Sequence, residues 1–216
     1  MESQPKQAYR ISGNFSISGA VIMLIGAAFW GASGTDLWQT LADNQMESYL
    51  VQSESVKHLL VVNTIFWILG VLLMGIAGKM MSALCTSNQS MSQVASFCFQ
   101  SAIPIAIVSF ITMLSLAIQK PTIEVAIIIG WIGARLDDLA TMLIIGAGPL
   151  FVSIAGRNNW VPRWLRIWGY LAGFTGFLVV VSLLTGVVEM GFVIVPVGIG
   201  WMIAAGVVLR KRANKI

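Results

Sequence analysis

The chain has 216 residues, of which 57% are hydrophobic and only 10% are charged, and its formal net charge is +4. A soluble domain carries roughly 25% charged residues because its surface must be wetted. So little charge excludes a water-covered globular protein. The composition predicts a single all-α domain, a polytopic membrane bundle of spanning helices.

The first half of the chain predicts three spans. An apolar run of about 20 residues is long enough to cross a hydrocarbon core of about 30 Å. We expect spans at about residues 15–33, 58–78 and 93–118. Residues 34–57 form the longest polar connection, and their apolar side chains recur at loosely helical spacing. Part of this connection is therefore expected to lie as a helix on the membrane surface.

The stretch from Ile123 to Arg157 is almost wholly apolar, yet three charged residues lie in its middle. As one helix it would be about 52 Å long, which exceeds a hydrocarbon core of about 30 Å. In one interpretation the span is residues 124–145, and each charge near the bilayer centre costs about 2.5–3.5 kcal/mol. In the other, residues 123–134 form an outer interfacial or re-entrant segment, and the fourth span is residues 139–156.

We prefer the second boundary because it places Asp137 and Asp138 at a helix N-terminus. Carboxylates there cap free N–H groups and suit the helix dipole. The same boundary predicts an ion pair between Arg135 and Asp138, three residues apart on one helix face. The glycines within residues 146–148 and Pro149 predict a break in this helix, a feature that often marks the binding site of a transporter.

The last two spans are expected at about residues 167–188 and 190–209, joined by a tight hairpin at Glu189. Gly169 and Gly173, with Gly176 one turn on, form a small-residue stripe that lets helices approach closely. Six spans place both termini on the same side of the membrane.

Charge counting gives the orientation. With both termini cytoplasmic, the inner side holds ten of the 13 basic residues, as the positive-inside rule requires. Eight of the nine acidic residues fall on the outer side. We therefore predict a bacterial inner-membrane protein with both termini in the cytoplasm. Its basic inner rim is expected to face anionic lipid, and no nucleic-acid partner is predicted.

The charges before the fourth span have two interpretations. They are either a helix start with a local ion pair, or a charged outer mouth covered by residues 123–134. In the second, Asp137 or Asp138 faces His58 and Lys57 across a cavity, where a histidine and a carboxylate could relay protons or hold a cation.

Two further polar side chains lie deep in apolar spans. Asn63 and Gln100 either form hydrogen bonds between helices or line a ligand cavity. The ligand-binding candidates are therefore these six residues: His58, Asn63, Gln100, Arg135, Asp137 and Asp138.

No catalytic residue, cofactor or metal site is predicted. The chain has no Gly-x-Ser-x-Gly, no His-Glu-x-x-His and no phosphate-cradling glycine loop followed by Lys-Ser or Lys-Thr. His58 is the single histidine, which excludes a metal or haem site built on paired imidazoles within this chain. Cys85 and Cys98 lack metal-ligand spacing.

Four segments carry a resemblance to a known family: Tyr9–Gly13, Gly148–Phe151, Asn159–Leu165 and Gly169–Gly173. Together with six spans, they resemble an uncharacterised bacterial membrane family, a domain of unknown function. That family has an apolar helix, a short basic turn with Leu-Pro-Arg-x-Leu-Gly, and a glycine-bearing helix. Val161 and Arg166 stand here where that pattern has Leu and Gly. The resemblance implies the six-span architecture and no activity or ligand.

The leading functional hypothesis is a membrane protein that binds or moves a small molecule or ion through an outer polar cavity. The alternative is a non-catalytic subunit that docks another protein or a second copy of the chain through its glycine and aromatic surfaces. A third hypothesis is a membrane enzyme acting on a lipid or quinone. A solvent-connected cavity in the outer half would favour the first, and a solid core with an open apolar face would favour the second.

Overall fold

A computed structural model describes residues 4–185 and 193–215. Within these ranges the chain is helical and has no strand. The helices, with a π-helical segment between α6 and α7, are α1 (Gln4–Ser33), α2 (Leu37–Ala42), α3 (Met46–Ser55), α4 (Lys57–Ala83), α5 (Gln89–Gln119), α6 (Ile123–Thr141), the π segment (Met142–Ala147), α7 (Gly148–Ala155), α8 (Arg163–Thr185) and α9 (Ile194–Ala213).

The prediction of a six-span helical bundle is confirmed. Six helical stretches among the described residues are long and apolar enough to cross a membrane, and they overlap the six expected spans. The helices extend beyond the expected boundaries. α1 begins at Gln4, 11 residues before the expected start of the first span, and α5 ends at Gln119. The predicted hairpin at Glu189 lies outside the described residues.

The spans pack as a closed ring of antiparallel neighbours. α1 packs against α4 and α9, α4 packs against α5, and α5 packs against α6 and α7. α7 then contacts α8, which contacts α9. The two ends of the bundle carry different segments of the chain. We call the end that carries α2 and α3 the acidic end, and the end where α1 begins and α9 finishes the basic end.

Helices approach each other closely toward the basic end. A Cβ atom on Gly13 of α1 would lie 2.7 Å from the carbonyl oxygen of Gly206 on α9. Ser16 Oγ donates a 2.6 Å hydrogen bond to the Met202 carbonyl across the same pair of helices. Trp160 and Trp201 are fully buried in the core. These contacts leave no room for larger side chains at the glycines.

The acidic end is covered by two short helices. Asp36 caps α2 by accepting a hydrogen bond from the Gln39 backbone N–H. Buried side chains of α2 and α3 pack against α5 and α6 in a second apolar cluster, formed by Leu37, Leu41, Met46, Tyr49, Leu116, Ala126 and Ala134. Burial there, and to a lesser extent the charge of Asp36, raises the pKa of Tyr49. The predicted helical character of this connection is confirmed.

The expected helix start at Asp137 and Asp138 is wrong. Helical backbone runs without interruption from Ile123 to Ala155, and Thr122 is the residue that precedes its first turn. The two carboxylates therefore lie mid-helix and cap no free N–H group. Their charge does not require a helix end, because Asp138 is paired with Arg135 of its own helix. The predicted i, i+3 ion pair is confirmed.

The π segment replaces the expected helix break. Pro149 has no N–H to donate to the Ile145 carbonyl, four residues earlier, so regular α-helical bonding cannot continue there. The i→i+5 pattern of Met142–Ala147 absorbs this defect without ending the helix. Gly198 of α9 faces the Ile145 carbonyl, where an added Cβ would collide.

Candidate functional site

A cavity of about 360 Å³ lies in the acidic half of the bundle. Every spanning helix contributes to its wall, and α2 covers it. The lining residues are Met23, Leu24, Ala27, Trp30, Trp38, Leu41, Trp67, Phe110, Trp131, Arg135, Asp137, Asp138, Thr141, Ile145, Val179, Ser182, Val195, Pro196 and Ile199. Its volume lies within the range of small-molecule sites, which are about 300–1,000 Å³.

One side of the cavity is an aromatic wall. Trp30 packs edge-on against Trp38, with ring centroids 6.2 Å apart. Trp67 lies 6.4 Å from Trp30 and 5.2 Å from Phe110, so the rings form a connected series across α2, α1, α4 and α5. The three tryptophans are only half-buried, since part of each ring faces the cavity.

A second wall of the cavity carries three charged residues of α6. Arg135 Nη1 donates a 3.1 Å hydrogen bond to Asp138 Oδ2. The Arg135 guanidinium also lies 4.8 Å from the ring centroid of Trp131, a cation–π contact. Trp38 of α2 lines the same cavity. Arg135 and Asp138 are thus mutually neutralised.

Asp137 differs from its neighbour. It lines the cavity, and no hydrogen bond or ion pair joins its carboxylate to another of the described residues. The like charge of Asp138 acts on it. An unpartnered carboxylate in an apolar setting is costly unless a ligand or proton neutralises it. Asp137 is therefore the polar group of this wall that is available to a ligand.

The structure brings together only three of the six predicted site residues. Arg135, Asp137 and Asp138 share the cavity wall, whereas His58 is exposed at the start of α4 and lies outside the cavity lining, as does Lys57. The expected pairing of a histidine with a carboxylate across the cavity is therefore not found among the described residues.

The two deep polar residues have structural roles. Asn63 Nδ2 donates a 2.8 Å hydrogen bond to the Gly26 carbonyl on α1, so it ties α4 to α1. It lines a separate small cavity of about 30 Å³ behind the aromatic wall. Gln100 is exposed on the outside of the bundle and bonds to Ser96 Oγ of its own helix at 2.9 Å. Neither residue reaches the large cavity.

Sequence reasoning missed the aromatic wall. Trp30, Trp38, Trp67 and Trp131 all lie toward the acidic ends of their helices, a distribution that the sequence equally predicts for an interfacial aromatic belt. What distinguishes them is that they lie at the same depth in the bundle as the charged residues of α6. Predicting that depth requires the helix ends to be known more accurately than the apolar runs allow.

The cysteines take no part in the site. Burial raises the pKa of the Cys85 thiol to about 11, and its sulfur donates to the Met81 carbonyl at 3.4 Å. A thiol in this state is a poor nucleophile. No group of three His, Cys, Asp or Glu side chains able to hold a metal ion occurs among residues 4–185 and 193–215.

Comparison of the chain with protein-family models, with curated proteins and with solved structures gives no match. The arrangement of side chains around the cavity is therefore the basis on which a function is assigned.

Proposed function

We propose that the protein binds a small molecule, or moves one across the membrane, through the cavity in the acidic half of the bundle. The observation that carries this proposal is the unpartnered carboxylate of Asp137 in a cavity walled mainly by aromatic and aliphatic side chains. A largely apolar pocket with a few placed polar groups is the usual form of a small-molecule site.

The alternatives have less support. A docking subunit is favoured by a solid core, whereas this bundle encloses a cavity of about 360 Å³. An enzyme acting on a lipid or quinone would need a general acid, a base or a nucleophile beside its substrate. Among the described cavity residues, the candidates for such chemistry are the α6 carboxylates and the hydroxyls of Thr141 and Ser182, and no histidine or lysine lies among them.

We further propose the bacterial inner membrane as the location, with the basic end in the cytoplasm. The basic end carries Arg10, Arg157, Arg163, Arg166, Arg210, Lys211 and Arg212. Short cytoplasmic segments rich in Lys and Arg are typical of this orientation. The same residues would attract anionic headgroups. In this orientation the cavity faces the outer side.

The length of the fourth span supports an outer extension. α9 has 20 residues, which is about 30 Å of helix and matches the hydrocarbon thickness. The continuous helix from Ile123 to Ala155 has 33 residues, which is about 50 Å. We expect residues 123–134 to lie at or beyond the outer boundary, as a helical extension covered by α2 and α3.

Binding of two lipophilic ions tests the proposed function. Tetraphenylphosphonium and tetraphenylborate have the same shape and opposite charge, and equilibrium dialysis against detergent-solubilised protein measures the binding of each. We expect at least one of them to bind at one site per chain. The Ala27→Phe variant should weaken this binding by about tenfold or more, because the new ring fills the cavity.

Ala28→Phe is the matched control, since Ala28 is exposed on the same helix and lies outside the cavity lining. It adds the same ring and should leave binding unchanged. Failure of both ions to bind, or equal binding by the Ala27→Phe and Ala28→Phe variants, would overturn the proposed function.

A further inference from the structure

We propose that the ligand is a monovalent organic cation with an apolar, aromatic-compatible body, and that Asp137 is its counter-ion. This inference rests on the proposed function and names the chemical class that the same cavity would take. Among the described lining residues, one ionisable side chain is left over after the internal pairing, and that side chain is acidic.

The charge of the cavity wall follows from its pairing. The described lining contains three charged residues, and all of them lie on α6. Arg135 and Asp138 form a hydrogen-bonded ion pair, so their charges cancel. Ionised Asp137 then leaves the wall with a net charge of −1. A monovalent cation would neutralise this charge without rearranging the existing pair.

The aromatic wall favours the same class of ligand. Ring faces carry negative electrostatic potential and attract cations within about 6 Å, with tryptophan the strongest. The cavity already contains one such contact, between the Arg135 guanidinium and the Trp131 ring. Trp30, Trp38 and Trp67 present further ring surface to the same space. Quaternary or alkylated ammonium groups are commonly bound by such aromatic surroundings.

Other ligand classes fit less well. An anion would need a free positive group, but Arg135 is held by Asp138 and the other described lining residues carry no positive charge. A neutral apolar molecule or a lipid chain would fit the aromatic surface, but it would leave the Asp137 carboxylate desolvated without a partner. A small inorganic cation would gain little from walls that are mainly apolar, because hard cations require several oxygen ligands.

Tetraphenylphosphonium and tetraphenylborate, the two lipophilic ions described above, also test this inference. Detergent-solubilised protein should bind tetraphenylphosphonium more tightly than tetraphenylborate, by at least about tenfold. Asp137→Asn should remove most of this preference, while Asp137→Glu should retain part of it because it keeps the charge. Since Asp137 has no partner to lose, both variants should fold, and thermal unfolding of each checks this.

Glu124→Gln is the matched control, because it removes the same charge from the exposed first turn of the same helix. Its preference for the cation should equal that of the unchanged protein. If tetraphenylborate binds equally well or better, at a site that Ala27→Phe blocks, the cation inference fails and the proposed function stands. An unaltered preference in Asp137→Asn would also overturn the inference. If neither ion binds at a site that Ala27→Phe blocks, both proposals fail.

Discussion

Two tryptophans toward each end of this bundle lie in different surroundings. Trp160 and Trp201, toward the basic end, are fully buried, and Trp201 donates its indole N–H to the Leu165 carbonyl at 3.0 Å. Toward the acidic end, Trp30 and Trp67 are half-buried and border an open space. The same side chain therefore fills a core in one half and walls a cavity in the other.

The difference lies in the residues that surround the rings. Toward the basic end, glycines and serines let neighbouring helices meet backbone to backbone, as Gly13 and Gly206 do. At the level of the cavity, side chains of α1, α4 and α6 instead border a space that the described residues leave unfilled. Close packing excludes voids, whereas large rings that cannot interdigitate leave them. The two halves therefore differ in whether these tryptophans fill the core or border a cavity.

The largest expected effect is the loss of a buried ring at the basic end. Trp201→Ala should destabilise the protein by about 3–5 kcal/mol, since it creates a cavity in a close-packed region. Trp131→Ala at the acidic end should cost only about 1 kcal/mol, chiefly its contact with Arg135. Thermal unfolding in detergent compares the two variants. Equal losses of stability would show that the two halves do not differ in packing.

A smaller effect is expected from one methyl group between α7 and α8. Gly169→Ala should destabilise the fold by about 1–3 kcal/mol, because its Cβ would overlap Ser153 Oγ and lie 2.7 Å from Ser153 Cβ. Gly31→Ala is the matched change toward the acidic end, where an added Cβ meets nothing within 4 Å. That change should be neutral or stabilise the helix by about 0.5–1 kcal/mol. Thermal unfolding in detergent measures the stability of both variants. A Gly31→Ala variant less stable than the Gly169→Ala variant would contradict the comparison.

The smallest effect concerns α3 at the acidic end. Lys120, at the turn between α5 and α6, donates to Glu54 of α3, and this ion pair lowers the pKa of Glu54. Because the folded-state pKa lies below the unfolded value, the pair stabilises α3 above the unfolded pKa. That stabilisation is lost as the pH falls through the folded pKa.

The pKa shift of Glu54 can be measured by NMR with selective labelling of the glutamates. Lys120→Met should return the pKa of Glu54 toward its ordinary value and should leave cavity binding unchanged, because neither residue lines the cavity. A pKa that stays low in the variant would mean that another group holds the carboxylate.

Much of the fold was predictable because a membrane restricts an apolar sequence to few structures. The six spans and the ion pair of Arg135 with Asp138 follow from run length and helical spacing. The continuity of the fourth helix did not follow. Insertion cost treats each charge as if it faced lipid, whereas these charges face a cavity and are partly paired within it. Which face a charge occupies depends on packing that the sequence does not state.

The charged residues of the site were predictable from the sequence, but the aromatic residues around them were not. The three α6 residues were identified because charges within an apolar run are conspicuous. His58 was included since it is the single histidine, but its position in the first turn of α4 leaves it outside the cavity lining. The tryptophans gave no distinguishing signal, because a ring that borders a cavity and a ring in a core or an interface occur in the same apolar surroundings.

The π segment Met142–Ala147 also sets the direction in which the charged residues of α6 point around the helix axis. A π turn holds one residue more than the α-helical path it replaces, and one residue corresponds to about 100° of rotation around a helix axis. α6 is therefore rotated by about 100° relative to α7, which packs against α8. Deleting one residue within Met142–Ala147 would rotate Asp137 and Asp138 by about 100° and move them out of the cavity. The chemistry of the site thus depends on a single inserted residue two turns away.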